Sequence, residues 1–284
     1  MKTKKYLIAI ALICFLIFIS LFIYHSSNSL QDSMLRLYVI DVGQGDSILI
    51  TYKNQNILID SGSSHSYRNL SGFLRKKRVK SIDHLIMTHP HEDHIGSMDK
   101  IIEDFRVNNF YGPRVTANSE CFTNLIKTFK KNSLKIQVIK QGFIISLDKH
   151  VNLFFLSPIN SQYSNLNNYS AVIRLVYGNT SFLLSGDAEE AVEQQLIYSG
   201  QVLEADLLKI GHHGSKSSSS EAFLTAVNPK IAVISCALGN DYGHPDNIVL
   251  ERLAKRDIKI YRTDKQGTIS FSSDGKKILA SKSY

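Results

Sequence analysis

The 284-residue chain has no tryptophan, only five prolines and only three cysteines. So few cysteines exclude a disulfide scaffold. Cys121 and Cys236, the two beyond the N-terminal apolar run, lack zinc-site spacing; buried separate thiols are expected, with pairing as the alternative. There is no serine nucleophile elbow and no Gly-x-x-x-x-Gly-Lys-Ser/Thr loop, which removes serine hydrolases and P-loop nucleotide enzymes from consideration. No internal repeat is found, and Ser217 to Ser220 is too short to be a linker.

Long apolar runs are also scarce. The one present, Tyr6 to Tyr24, follows Lys2, Lys4 and Lys5, and at roughly nineteen residues is long enough to span a bilayer's hydrocarbon core as a helix. The positive-inside rule then places the rest of the chain outside the cell. A cleaved signal peptide, giving a secreted protein, is the alternative, but no Ala-x-Ala site follows; Ile13 before Cys14 argues against lipidation. Residues 1–33 are therefore read as anchor and polar tether, and 34–284 as one folded domain. The net charge is +8; Lys2, Lys4, Lys5 and Asp32 account for +2, leaving +6 on the exposed part. Anionic partners are favoured. Arg75 to Lys80 concentrates the charge, either to touch nucleic acid or as a solvated helix end.

What is abundant is histidine in one place. Thr88-His89-Pro90-His91-Glu92-Asp93-His94-Ile95-Gly96 packs His-x-His-x-Asp-His into six residues. On an extended loop His89 and His91 point the same way and can grip one metal, while Asp93 and His94, at the turn into a helix, reach a second. A pair of surface histidines with a helix cap at Asp93 would explain the stretch without any metal, but folding alone seldom needs this pattern.

The surrounding pattern alternates. Short β-runs are expected at Leu35 to Ile40, Ser47 to Tyr52 and Asn56 to Ile59, then a basic helix over Ser66 to Arg78 and a buried strand, His84 to Met87, feeding the histidine loop. Helices follow at Met98 to Phe105 and Ser119 to Lys131, and strands at Ile136 to Ile139 and Val151 to Leu156. After an Asn-rich loop, Asn160 to Asn168, comes a hairpin turning at Gly178-Asn179. Beyond Asp187, helices alternate with strands at Ala205 to Ile210 and Ile231 to Cys236, and a final strand pair turns at Asp274-Gly275.

Three later constellations fall at strand ends, where loops gather distant side chains. Leu184-Ser185-Gly186-Asp187 ends an apolar strand with a carboxylate able to bridge two cations. Gly211-His212-His213-Gly214-Ser215-Lys216 offers a histidine pair, with Ser215 and Lys216 to hold phosphate oxygens. The third is Asp241-Tyr242-Gly243-His244-Pro245. Singly, each has a structural explanation: a helix cap, a core histidine, a turn residue.

Together these segments resemble the metallo-β-lactamase fold superfamily. Within it, Asp41-Val42-Gly43-Gln44-Gly45-Asp46-Ser47, the His-His-Gly-Ser segment and Tyr242 to Pro245 are similar to the extracellular hydrolase domain of the ComEC competence-channel family and its standalone relatives. The resemblance implies an αββα sandwich with the site along one edge of two sheets. It implies that His89 and His91 hold a first divalent metal ion, Asp93 and His94 a second, that Asp187 bridges them, and that Asp60 braces the loop. The last ligand stays open among His212, His213 and His244, with His212 the assignment carried here. The superfamily usually has a further histidine before the hairpin, where this chain reads Asn167-Asn168-Tyr169-Ser170; an Asn168 carboxamide in its place is a weaker ligand and favours manganese over zinc.

The chemistry expected of such a site is hydrolysis. A bound cation lowers the pKa of water from about 15.7 to near 7, and a pair about 4 Å apart stabilises entering and leaving oxygens of a phosphoryl displacement. Asp93 would orient the hydroxide, and His212, His213, His244 or Lys216 would supply the proton or charge that the leaving alkoxide needs, with His213 and His244 the assignments carried here. The expectation is an outward-facing phosphodiesterase acting on DNA, with a competence channel as a partner. The alternatives are a cell-wall phosphodiesterase of phosphorylcholine type and a non-catalytic DNA-binding module.

Overall fold

The computed structural model describes residues 33–282 together with Phe15 and Ile19. Apart from those two positions, the apolar run Tyr6 to Tyr24 lies outside the described residues, and among the described residues no helix is long and apolar enough to cross a membrane.

Among the described residues the strands form two sheets. The first joins β1 (Leu35–Val39), β2 (Ile48–Tyr52), β3 (Gln55–Ile59), β4 (Ser81–Ile86), β5 (Arg106–Pro113) and β6 (Ile136–Ile139) side by side. The second runs β7 (Ile144–Ser146), β8 (Val151–Phe155), β9 (Ile173–Tyr177), β10 (Thr180–Leu184), β11 (Leu207–Lys209), β12 (Ile231–Ile234) and β13 (Lys259–Arg262). Finally β14 (Ile269–Ser273) pairs with β1, and β15 (Ile278–Lys282) completes the first sheet's edge.

The period of two in the central strands decides the layers. Ile48, Ile50, Ile57 and Ile59 point between the sheets, where they meet Leu153, Leu175, Phe182 and Leu184. Leu49, Leu58 and Leu85 point the other way, onto the helices Tyr67–Lys76, Met98–Asp104 and Glu120–Lys131. On the second sheet Leu183, Leu208 and Ile234 do the same beneath the helices Glu190–Tyr198, Glu221–Val227 and Asn247–Ala254. Strands buried on both faces read as near-continuous apolar runs, as Ile-Leu-Ile and Phe-Leu-Leu do here. The expected αββα sandwich is what the sequence builds.

Direction positions the site. β3, β4, β5 and β6 are parallel, and β10, β11, β12 and β13 are parallel in the second sheet. Their C-terminal ends deliver Asp60, the His89 to His94 loop, Asp187, the His212-His213 pair and His244 to one rim.

Some expectations shift. The basic helix ends at Lys76 rather than Arg78, β4 starts at Ser81 rather than His84, and β11 and β12 are shorter than expected. β5 and β7 went unforeseen, and a turn of 3-10 helix, Leu166–Tyr169, closes the Asn-rich loop. Cys236 is buried and Cys121 half-buried, both as free thiols.

A candidate metal centre at the sandwich rim

The His-x-His-x-Asp-His loop leaves β4 and turns at once into a short helix, Glu92–Ile95, whose N-cap is His91. The loop is held from behind by the Gly-Gln-Gly-Asp segment. Asp46 donates its backbone N–H to the Asp93 carbonyl at 3.1 Å. At Gly45, φ is +130° and a Cβ would stand 2.2 Å from that same carbonyl, so only glycine fits.

Asp60 braces the loop as expected. Its carboxylate accepts from the Thr88 backbone N–H at 2.8 Å and from the Thr88 hydroxyl at 2.6 Å, and lies 2.7 Å from His94 Nδ1. His94 Nε2 is thereby aimed into the rim, where Asp187 Oδ2 stands at 3.2 Å. His213 approaches the same oxygen from the other sheet, with Nε2 at 3.4 Å from Asp187 and 3.1 Å from Asp93. Asp93, His94, Asp187 and His213 each offer a ligand atom within 4.8 Å of the others. His89 is fully buried, its Nε2 3.0 Å from His91 Nδ1 and 3.9 Å from Asp187 Oδ2.

A metal fits this set. His94 Nε2 and Asp187 Oδ1 are buried with no hydrogen-bond partner, a costly arrangement unless something else satisfies them. Electrostatics agree. Burial disfavours charge on His94, yet Asp187, Asp93 and Asp60 outweigh it and hold the imidazole protonated well above its usual range. His213 is raised in the same way, burial being overcome by Asp187, Asp46 and Asp93. The Asp187 carboxyl is buried too, but His213 and His94 keep it well below the usual carboxylate range. Protons held by these imidazoles stand where a cation would compete for the same nitrogens.

The histidine pair after β11 needs reassignment. His212 and His213 have φ of +48° and +55°, left-handed backbone that costs side-chain-bearing residues about 1–3 kcal/mol each. That double turn sends the two rings apart. His213, expected as a proton donor, is buried against Asp93, Asp187 and Asp46 and belongs with the ligand cluster. His212, expected as the last ligand, is partly exposed, 3.9 Å from Asp187 Oδ2, with Nδ1 3.1 Å from the Ser217 hydroxyl. His244 lines the cleft, its ring centroid 5.6 Å from His212 and stacked on Tyr242.

Asn168 is not part of the cleft lining. Its Oδ1 accepts from the Glu189 backbone N–H at 3.3 Å. Asn167 lines the cleft instead, Nδ2 3.5 Å from His212 Nε2, and its buried Oδ1 has no partner. Ser215 and Lys216 are not brought to the cleft: the Ser215 hydroxyl bonds Ser217 at 3.1 Å, and Lys216 is exposed outside the lining. The basic run Arg75 to Lys80 precedes β4 and the histidine loop follows it, so six strand residues, about 20 Å, separate them. Arg75 pairs with Asp104 there, and Lys77 packs over Tyr38. The solvated helix end is the reading that fits.

Sequence reading missed three supports. Asp46 receives the buried Lys209 ammonium at 2.9 Å and faces His213 Nδ1 at 3.5 Å. Glu189 gathers Asn165 at 2.7 Å, Ser217 at 3.2 Å and His212 at 3.5 Å. Gln44 lines the cleft and accepts from the Ala237 backbone N–H at 3.2 Å. A lysine inside Leu-Leu-Lys-Ile was the available signal for the first. The cleft measures about 330 Å³ and opens over Asp93, Asp187, His213 and His244.

Residues 40–237 match the sequence pattern described as the Metallo-beta-lactamase superfamily. The chain belongs to this superfamily. Among curated proteins it is similar to ComE operon protein 3 of Bacillus subtilis, 32% identical with 91% of this chain and 35% of that protein covered. Competence protein ComA of Neisseria gonorrhoeae is 28% identical, covering 88% of this chain and 34% of that protein. The chain thus spans about a third of the length of these competence-family relatives, which bear out the resemblance to ComEC. Among solved structures, the metallo hydrolase Igni18 of Ignicoccus hospitalis superposes with a TM-score of 0.57 at 15% identity, over 84% of this chain and 98% of that one. At that identity the match shows the fold.

Proposed function

We propose that this chain is a metal-dependent phosphodiesterase acting on DNA, carried outward from a membrane by its N-terminal apolar run. The observation carrying this reading is the convergence of Asp93, His94, Asp187 and His213, of which all but the buried His94 line an open cleft. Divalent cations there supply a Lewis acid for a phosphoryl oxygen and acidify water. The chain's own residues do the rest. Asp93, 31% exposed and 3.1 Å from His213, presents a carboxylate oxygen that orients a water for attack. Burial pushes the His244 pKa down, so its imidazole serves as a neutral hydrogen-bond donor to the leaving oxygen, and the proton that oxygen gains is the one the attacking water gives up. His89, His91 and Asp187 form the second half of the metal site, which accommodates zinc or manganese. The DNA assignment draws on the competence relatives, and a channel protein as partner draws on the resemblance to the ComEC family.

A substrate panel on metal-loaded protein tests this. Hydrolysis of both bis-p-nitrophenyl phosphate and DNA, lost on chelation, is expected. Cleavage of choline phosphodiesters with DNA untouched would move the assignment to a wall esterase, and inertness with every metal would favour a binding module. Protease added to intact protoplasts should remove the domain and leave a short stub; full protection would overturn the orientation.

A further inference from the structure

Beside the metal cleft lies a second, larger groove of about 520 Å³, lined by Arg114, Val138, Lys140, Pro158, Ile159 and Tyr169 among others. Arg114 follows β5 and Lys140 follows β6, so both stand at the same strand ends as the histidine loop, one and two strands further along. At about 4.8 Å per strand they continue the line of the site rather than face away from it. Neither side chain makes an ion pair or hydrogen bond among the described residues, and no carboxylate lines the groove. A shallower depression lined by Arg114, Thr116, Gln162 and Tyr169 adjoins it. The four-residue turn Leu166–Tyr169 is the shared wall: Asn167 lines the metal cleft, and Tyr169 lines the groove. That turn is fixed, since Asn165 and Asn167 both donate to Glu189, at 2.7 and 3.4 Å.

We propose that this groove is the track for a single-stranded nucleic acid that crosses the Leu166–Tyr169 turn into the metal cleft, with Arg114 and Lys140 on successive phosphates and the Val138, Ile159 and Tyr169 surface against the bases. This rests on the phosphodiesterase reading and names the form of its substrate. Unpaired cations beside apolar and aromatic surface are what a strand with exposed base faces requires. A polyol phosphate polymer would use the cations and leave the apolar surface without a partner. The run Arg75 to Lys80 is excluded from the track by its place at the other end of β4.

The test is anisotropy of a short fluorescent single strand bound to the full chain in chelator, so that affinity is read without turnover. Arg114→Glu with Lys140→Glu should weaken binding at least about tenfold and flatten the slope of log affinity against log salt by about 1.4, near 0.7 for each phosphate no longer neutralised. Arg78→Glu with Lys80→Glu, an equal change in charge at the far end, should weaken it less than about threefold. Equal losses from both pairs, no binding by the wild type, or displacement of the strand by polyglycerol phosphate at equal phosphate concentration would each overturn the track. A wild type that binds through the groove yet hydrolyses nothing with any metal would sink the phosphodiesterase reading and leave the groove standing.

Discussion

On one side of the metal cleft, Asp93, His94, Asp187 and His213 bring four ligand atoms within 4.8 Å, each steadied from behind. Asp60 holds His94 at 2.7 Å, the Ser235 carbonyl lies 3.1 Å from His213 Nδ1, and Lys209 pins Asp46 beneath. On the other side His89 and His91 touch each other at 3.0 Å, Asp187 approaches only to 3.9 Å, and Asn167, from the stretch where a further histidine is usual, lines the cleft. The difference lies in the ligands rather than in their bracing: His89 Nδ1 is also held, by the Thr88 hydroxyl at 3.1 Å and the Ser170 hydroxyl at 3.3 Å, but one half-site gathers four ligand atoms and the other is short of one. The two halves should fill in sequence, the Asp93–His94–Asp187–His213 half first.

The substitution with the largest expected effect removes the residue both halves share. Asp187→Asn should lower metal affinity and diester turnover by roughly a thousandfold, the several kcal/mol a charged ligand supplies, with the circular dichroism spectrum kept. Loss confined to one equivalent of metal would break the idea of a shared ligand. Lys209→Met should destabilise the fold by about 3–5 kcal/mol, because it leaves the Asp46 carboxylate buried without its ion pair; the midpoint of denaturant unfolding measures it. An unchanged midpoint would mean that Asp46 does not depend on Lys209.

Much of the ordered half was legible because its residues are neighbours in sequence: Asp93 and His94 sit in one motif, and Asp187 ends an apolar strand. His213 was legible only as one of a pair. Which ring turns inward is set by left-handed backbone at both His212 and His213, a conformation histidine does not announce. Asn167 and Asn168 posed the same problem, decided by a cap to the Glu189 N–H. Most of the fold followed from period-two runs of Ile and Leu. β5 escaped because Asn108, Asn109, Gly112 and Pro113 carry little strand propensity; its neighbours β4 and β6, and burial of its second half, make the strand.

Smaller effects sharpen the comparison. Asp60→Asn weakens the brace on His94 while sparing the ligands, so affinity for the first cation should fall about 10–100-fold, read by competition with a chromogenic chelator. An equal effect on the second cation would blur the distinction between the halves. Asn167→His supplies the ligand the poorer half lacks and should tighten the second equivalent by about tenfold, near 1.4 kcal/mol, leaving the first unchanged. No change in calorimetric titration would show that this position does not reach the metal.

The most direct test is anomalous diffraction from crystals equilibrated with limiting manganese or zinc. A single strong peak in contact with His94 Nε2, an Asp187 oxygen and His213 Nε2, joined by a weaker one at His89 and His91 only when metal is in excess, is the expected result. A first peak at His89 and His91, or His213 Nε2 out of contact while His212 coordinates, would contradict it.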